Sequence, residues 1–106
     1  MTTAVSVVAP GASKVLTSVS GAITYWTWRE TTGAAGAVFR LWDSDRAGGQ
    51  LVLSASLTSG ESFRDFIDRG ALPFRVGLFF ELVSGAVEGA VYFGQADYEI
   101  EIVQGL

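Results

Sequence analysis

The sequence predicts an all-β domain, a single β-sandwich of about eight antiparallel strands in a jelly-roll or Ig-like arrangement. Apolar residues recur at every second position over many short stretches, which is the period of a pleated strand. Turn formers, chiefly the 13 glycines, punctuate those stretches at fairly regular spacing. No stretch keeps the helical period long enough to hold a helix by itself. At 106 residues the chain suits one domain with a modest core.

Residues 1–12 form an N-terminal arm or edge strand, because the β-branched run 3–9 stops at Pro10-Gly11; residues 13–106 form the sandwich. Within it, 14–18 (KVLTS) is a short strand, and Ser20-Gly21 marks a turn or bulge. In 22–31 (AITYWTWRET) Ile23, Tyr25, Thr27 and Arg29 alternate with Thr24, Trp26, Trp28 and Glu30, so neither face is purely apolar. After the flexible turn 33–36, the stretch 37–42 puts Phe39 and Leu41 on one face and Val38, Arg40 and Trp42 on the other. The loop 43–49 (DSDRAGG) is rich in turn formers. Leu51, Leu53, Ala55 and Leu57 then line an inward face, with Val52, Ser54 and Ser56 outward.

For 61–68 (ESFRDFID) a short strand running into an irregular turn is favoured over a helix, since glycines bound it closely. Pro73 holds Leu72 extended. The stretch 74–94 organises the whole: Phe74, Val76, Leu78, Phe80 and Leu82 alternate, Ser84-Gly85 intervenes, and Val87, Gly89, Val91 and Phe93 resume the period. Its pattern predicts a hairpin. A last strand over 96–103 turns Tyr98, Ile100 and Ile102 inward and Glu99 and Glu101 outward. The predicted core is Leu51, Leu53, Leu57, Val76, Leu78, Phe80, Val91, Tyr98, Ile100 and Ile102.

Composition excludes several function classes. A net charge of −4 without a basic patch disfavours duplex nucleic acid. The chain has neither cysteine nor histidine, so disulfides, thiolate metal sites and the commonest general base are absent. Serine hydrolase chemistry fails for the same reason, and no Gly-x-Ser-x-Gly elbow occurs. The start of the chain lacks the pattern of a signal peptide, and no apolar run is long enough to span a bilayer, which predicts a protein made and kept without Sec export.

The remaining chemistry is sparse. Asp43-x-Asp45 has the opening spacing of a calcium loop, but the later ligands of an EF-hand do not follow, and a solvated turn is the expectation. Asp65, Asp68, Glu61 and Glu81 are expected to be surface carboxylates with Arg64 and Arg69 as counter-charges rather than an acid and base pair. The glycines of 33–36 and 85–89 lack the lysine and helix of a phosphate loop. Trp26 and Trp28 share one face of one strand, where they could stack on sugars in a carbohydrate-binding module, or pack in the core or at an interface. No catalytic residue, cofactor or metal is expected.

The series Phe39-Arg40-Leu41-Trp42-Asp43, Gly49-Gln50-Leu51, Leu57-Thr58-Ser59-Gly60-Glu61-Ser62, Phe74-Arg75-Val76-Gly77-Leu78-Phe79 and Val83-Ser84-Gly85-Ala86-Val87-Glu88-Gly89-Ala90-Val91 resembles small β-sandwich virion proteins of tailed bacteriophages. The resemblance covers residues 22–94, and its motifs are structural. It implies a non-enzymatic virion protein made in the host cytoplasm, a capsid decoration protein on the major capsid protein, or alternatively a minor tail or fibre component. Decoration proteins of this kind often sit on threefold positions, which implies a homotrimer. The residues expected at interfaces are Trp26, Trp28, Trp42, Val5 and Val7. Trp26, Trp28, Val38, Trp42, Val52, Phe79, Val83 and Tyr92 fall at the opposite parity or on mixed faces, which is more than one small domain can bury and also predicts assembly as a symmetric homo-oligomer.

Overall fold

A computed structural model of the chain describes residues 2–7, 13–67 and 72–95. They form nine strands and no helix. The strands are β1 (Thr2–Val7), β2 (Lys14–Thr17), β3 (Gly21–Glu30), β4 (Ala37–Asp43), β5 (Gln50–Leu57), β6 (Ser62–Phe66), β7 (Leu72–Phe74), β8 (Leu78–Ser84) and β9 (Val87–Gln95). Five build one antiparallel sheet, sheet I, in the order β1-β9-β3-β6, with β7 also paired to β3. The other four build sheet II in the order β2-β8-β4-β5. The chain is therefore all-β, as its alternating pattern predicts, and the sheets pack face to face as a β-sandwich. The expected strand 96–103, with Tyr98, Ile100, Ile102, Glu99 and Glu101, lies outside the described residues.

The core lies between the sheets and is largely aromatic. Trp28 of β3 reaches across to Phe39 of β4, ring centroids 4.5 Å apart, and stacks on Phe80 of β8 at 6.0 Å. Offset and tilted rings of this kind add to the stabilisation that buried area supplies. Phe74, Ile23, Leu41, Leu78, Val87 and Val91 complete the set of large, fully buried side chains. Of the predicted core, Leu57, Leu78, Phe80 and Val91 are buried, and half-buried Leu53 packs against the cluster.

Leu51 and Val76 depart from the prediction; they are 45% and 54% exposed. A bulge explains the first. Leu41 pairs with Leu53 but Trp42 pairs with Leu51, so Val52 is an extra residue in β5. An inserted residue reverses the facing of whatever lies beyond it. Val52 packs towards the core and Leu51 emerges beside Trp42 on the outside. Val76 lies in a turn between β7 and β8, not in a continuous strand. That turn is held by Asp43, whose carboxylate accepts the amides of Arg75 and Val76 at 2.8 Å and of Gly77 at 3.3 Å.

The predicted hairpin over 74–94 is also corrected. β8 belongs to sheet II and β9 to sheet I, so the turn at Ser84-Gly85 carries the chain from one sheet to the other. Alternation reports which side chains face inward, and both arms do face the same core. It carries no information about which strand supplies the hydrogen bonds. β9 is bonded instead to β3 and to β1, the edge strand that holds Val5 and Val7 opposite Val91 and Gly89.

β3 has its own bulge. Ile23 pairs with Phe93 and Tyr25 with Tyr92, leaving Thr24 as the extra residue. Its hydroxyl donates to the Tyr92 carbonyl at 3.4 Å, and its carbonyl accepts the Ile67 amide at 2.8 Å. Ile23 points inward before the bulge, and Trp26, Trp28 and Glu30 point inward after it. The mixed facing of this stretch in the sequence is the signature of that shift.

Candidate functional site

The outer face of sheet II carries an unusual row. Val15 of β2 pairs with Phe79 of β8, Phe79 with Trp42 of β4, and Trp42 with Leu51 of β5. One apolar side chain from every strand of the sheet thus stands in a single line, on the side away from the core. Val15 and Leu51, at its two ends, are each 45% exposed; Phe79 and Trp42 are half-buried. Beside the row, Glu81 accepts the Trp42 indole N–H at 2.9 Å and pairs with Arg40 at 3.5 Å. The bond satisfies the polar edge of the half-buried Trp42 ring. Val83, also 45% exposed, lies further along β8. A contiguous apolar strip of this kind on a sheet face marks an interaction surface more often than a free one.

The interface roles expected of Trp26 and Trp28 are corrected by their burial. Only 4% and 1% of their surfaces are exposed, and their indole N–H groups find no acceptor among the described residues. Neither ring offers a face to a sugar or a partner. The bulge at Thr24 is the cause, since it turns this parity inward. Val5 is half-buried against the core rather than displayed. Val7 sits in β1, and its side chain lies outside those described. Of the expected interface residues whose side chains are described, Trp42 alone lies on an outer face.

A second feature lies on the outer face of sheet I. Tyr25, Thr27 and Arg29 of β3, Ser62 and Arg64 of β6, and Glu88 of β9 surround a groove of about 380 Å³. Gly89 of β9 also borders the groove, and a Cβ there would run into the Thr27 carbonyl and the Trp28 ring. Thr27 pairs with Arg64 and Arg29 with Ser62 across the strand boundary, so alternate residues bring these polar groups to one surface. Arg29 holds Glu88 at 3.0 Å. The Tyr25 ring leans on Tyr92 with centroids 5.4 Å apart. Among the described residues, the Arg64 side chain has no ion-pair or hydrogen-bond partner. In the sequence Tyr25, Thr27 and Arg29 belong to one of the two alternating halves of 22–31, neither purely apolar, and no local pattern joins them to Ser62, Arg64 and Glu88.

The carboxylates have structural duties. Asp43 is no solvated turn: burial would raise its pKa, but the amides of Arg75, Val76 and Gly77 and the Arg75 charge outweigh that and hold it below the usual range. Asp45 is lowered by its bond to Arg46 at 2.9 Å. Glu61 accepts the amide of Thr58 at 2.7 Å within its own turn. Asp68 and Arg69 lie outside the described residues, and so does the Asp65 side chain. Among the described residues, no cluster of acidic side chains could hold a metal ion.

Glu30 is buried, with 2% of its surface exposed. Its carboxylate accepts the Thr32 hydroxyl at 2.6 Å and the amides of Gly60, Thr32 and Gly33 at 2.8–2.9 Å. The Thr32 hydroxyl and then the Gly60 amide are the main reasons that its pKa is pulled from 4.5 to about 2. Glu30 ties the end of β3 to the turns at 31–34 and 58–60, which is a structural role.

A scan of protein-family models finds no match to this chain, and neither the curated proteins nor the solved structures yield one.

Proposed function

We propose that the chain is a non-enzymatic structural protein of a tailed-phage virion, a capsid decoration protein that binds the outer surface of the major capsid shell as a homotrimer. The observation that carries this reading is the apolar row Val15, Phe79, Trp42 and Leu51 across sheet II. A soluble domain rarely leaves such a strip facing water unless something covers it. The half-buried aromatics at its centre are of the type that anchors protein interfaces, and the exposed aliphatics at its ends extend the contact. The likeness of stretches such as Phe39–Asp43 and 83–91 to phage virion proteins supports a capsid shell as the partner. The two ends of the row differ, so a contact between Leu51 of one copy and Val15 of the next would be heterologous, and such contacts form a ring, a trimer among them, when the rotation between copies closes.

The test mixes purified protein with heads assembled without it and sediments them. Wild type co-sediments and Leu51→Glu, which places a charge in the row without touching the core, does not, although both melt alike. Equal binding by the variant, or no binding by wild type, would overturn the docking face. Light scattering reads the trimer separately, and a monomer at all concentrations would refute that part. Mass spectrometry of purified virions distinguishes a decoration protein, abundant relative to the shell protein, from a tail component present in a few copies.

A further inference from the structure

We infer that the groove on the outer face of sheet I binds a saccharide that carries a carboxylate, such as a uronic-acid unit. The chemistry of its walls selects this ligand. Arg64 presents a guanidinium that nothing among the described residues neutralises, and guanidinium is the side chain best shaped to take a carboxylate in two parallel hydrogen bonds. Across the floor, the Arg29–Glu88 pair offers donors and an acceptor side by side, joined at 3.0 Å and exposed to solvent. Vicinal sugar hydroxyls, each both donor and acceptor, match such a pair, as they match the hydroxyls of Thr27 and Ser62.

The apolar element is the ring of Tyr25, braced by Tyr92 at 5.4 Å, against which the C–H face of a pyranose can lie. The bracing matters because a ring already held in place loses little freedom when a ligand arrives. Size agrees: a groove of about 380 Å³ falls at the small end of ligand sites and accommodates one or two sugar units rather than a long chain. A neutral sugar would leave the Arg64 guanidinium without a partner among the described residues, and a simple anion would leave the tyrosine wall and hydroxyls unused. The groove lies on the opposite face from the apolar row, so it remains open whatever covers sheet II, and this inference stands apart from the proposed virion role.

The experiment titrates the isotopically labelled protein with digalacturonic acid and follows backbone amide resonances, with lactose and acetate as comparison probes. Digalacturonic acid shifts the amides of Thr27, Ser62, Arg64 and Glu88, and lactose and acetate each bind at least about tenfold more weakly. Arg64→Ala weakens binding by about tenfold or more, Arg64→Lys recovers part of it, and Thr27→Trp, which fills the groove, abolishes it. All these positions are on the solvent side of the sheet, and unchanged melting shows that each variant is folded. Acetate binding as tightly as the disaccharide would reduce the groove to a simple anion site and overturn the inference. So would shifts located elsewhere, an unaffected Arg64→Ala protein, or no shifts with millimolar digalacturonic acid.

Discussion

Single residues show how little of this chain's apolar content can be assigned from type alone. Leu41 and Leu51 are both leucines at strand positions, yet the first is fully buried and the second is 45% exposed. Leu41→Ala leaves a cavity beside Phe39 and Phe80, and should cost about 2–5 kcal/mol. Leu51→Ala should stay within about 0.5 kcal/mol in the isolated protein. Urea denaturation of the two variants checks the contrast.

Glu30 makes a second prediction at this scale. Its pKa is pulled from 4.5 in the unfolded chain to about 2 in the folded one, so the ionised form is favoured by folding. The stability this supplies is present above 4.5 and lost as pH falls towards 2. Glu30→Gln should therefore lower the melting temperature at neutral pH, and the gap to wild type should narrow as acid is added through that window. Asp43 and Asp45, also held below their usual values, contribute acid lability to both proteins and cancel in the comparison.

At the scale of elements, the turn at Ser84-Gly85 decides the topology, because it sends β9 to sheet I instead of pairing it with β8. Gly85 has φ of 82°, and a Cβ there would come within 2.6 Å of the Gly36 carbonyl oxygen. Gly85→Ala should cost at least about 1–2 kcal/mol from the left-handed backbone alone, with the close approach adding to it. Thermal melts against Gly60→Ala, whose backbone is also left-handed but whose surroundings are open, separate the two contributions.

The element scale also shows what the sequence could and could not reveal. Strand positions and inward residues in 37–42, 78–82 and 87–93 are legible because alternation reflects burial directly. The partner of each strand is not, since a sheet-to-sheet crossing and a hairpin use the same glycine and the same period. Bulges at Thr24 and Val52 hide the facing of Trp26, Trp28 and Leu51, because one inserted residue reverses parity without a distinctive residue type. The role of Asp43 as the anchor of residues 75–77 depends on a contact 32–34 positions away, beyond any local pattern. The outward parity of Trp42 can be read from the sequence, but the row it joins depends on the strand order that sets Val15, Phe79 and Leu51 in line with it.

The whole molecule presents two unlike faces. Sheet II displays an apolar strip, and sheet I displays a groove lined by arginine, tyrosine and hydroxyl groups. Such a division fits a module held by one side with the other left open to solution. The division rests on one arrangement, the lining up of four apolar residues across β2, β8, β4 and β5. Cryo-electron microscopy of the assembled particle tests the proposed docking most directly. It should show the sandwich on the capsid exterior with Trp42 and Leu51 against the shell and Arg64 facing solvent; a particle in which Trp42 and Leu51 face solvent, or in which no copy lies on the head, would contradict it.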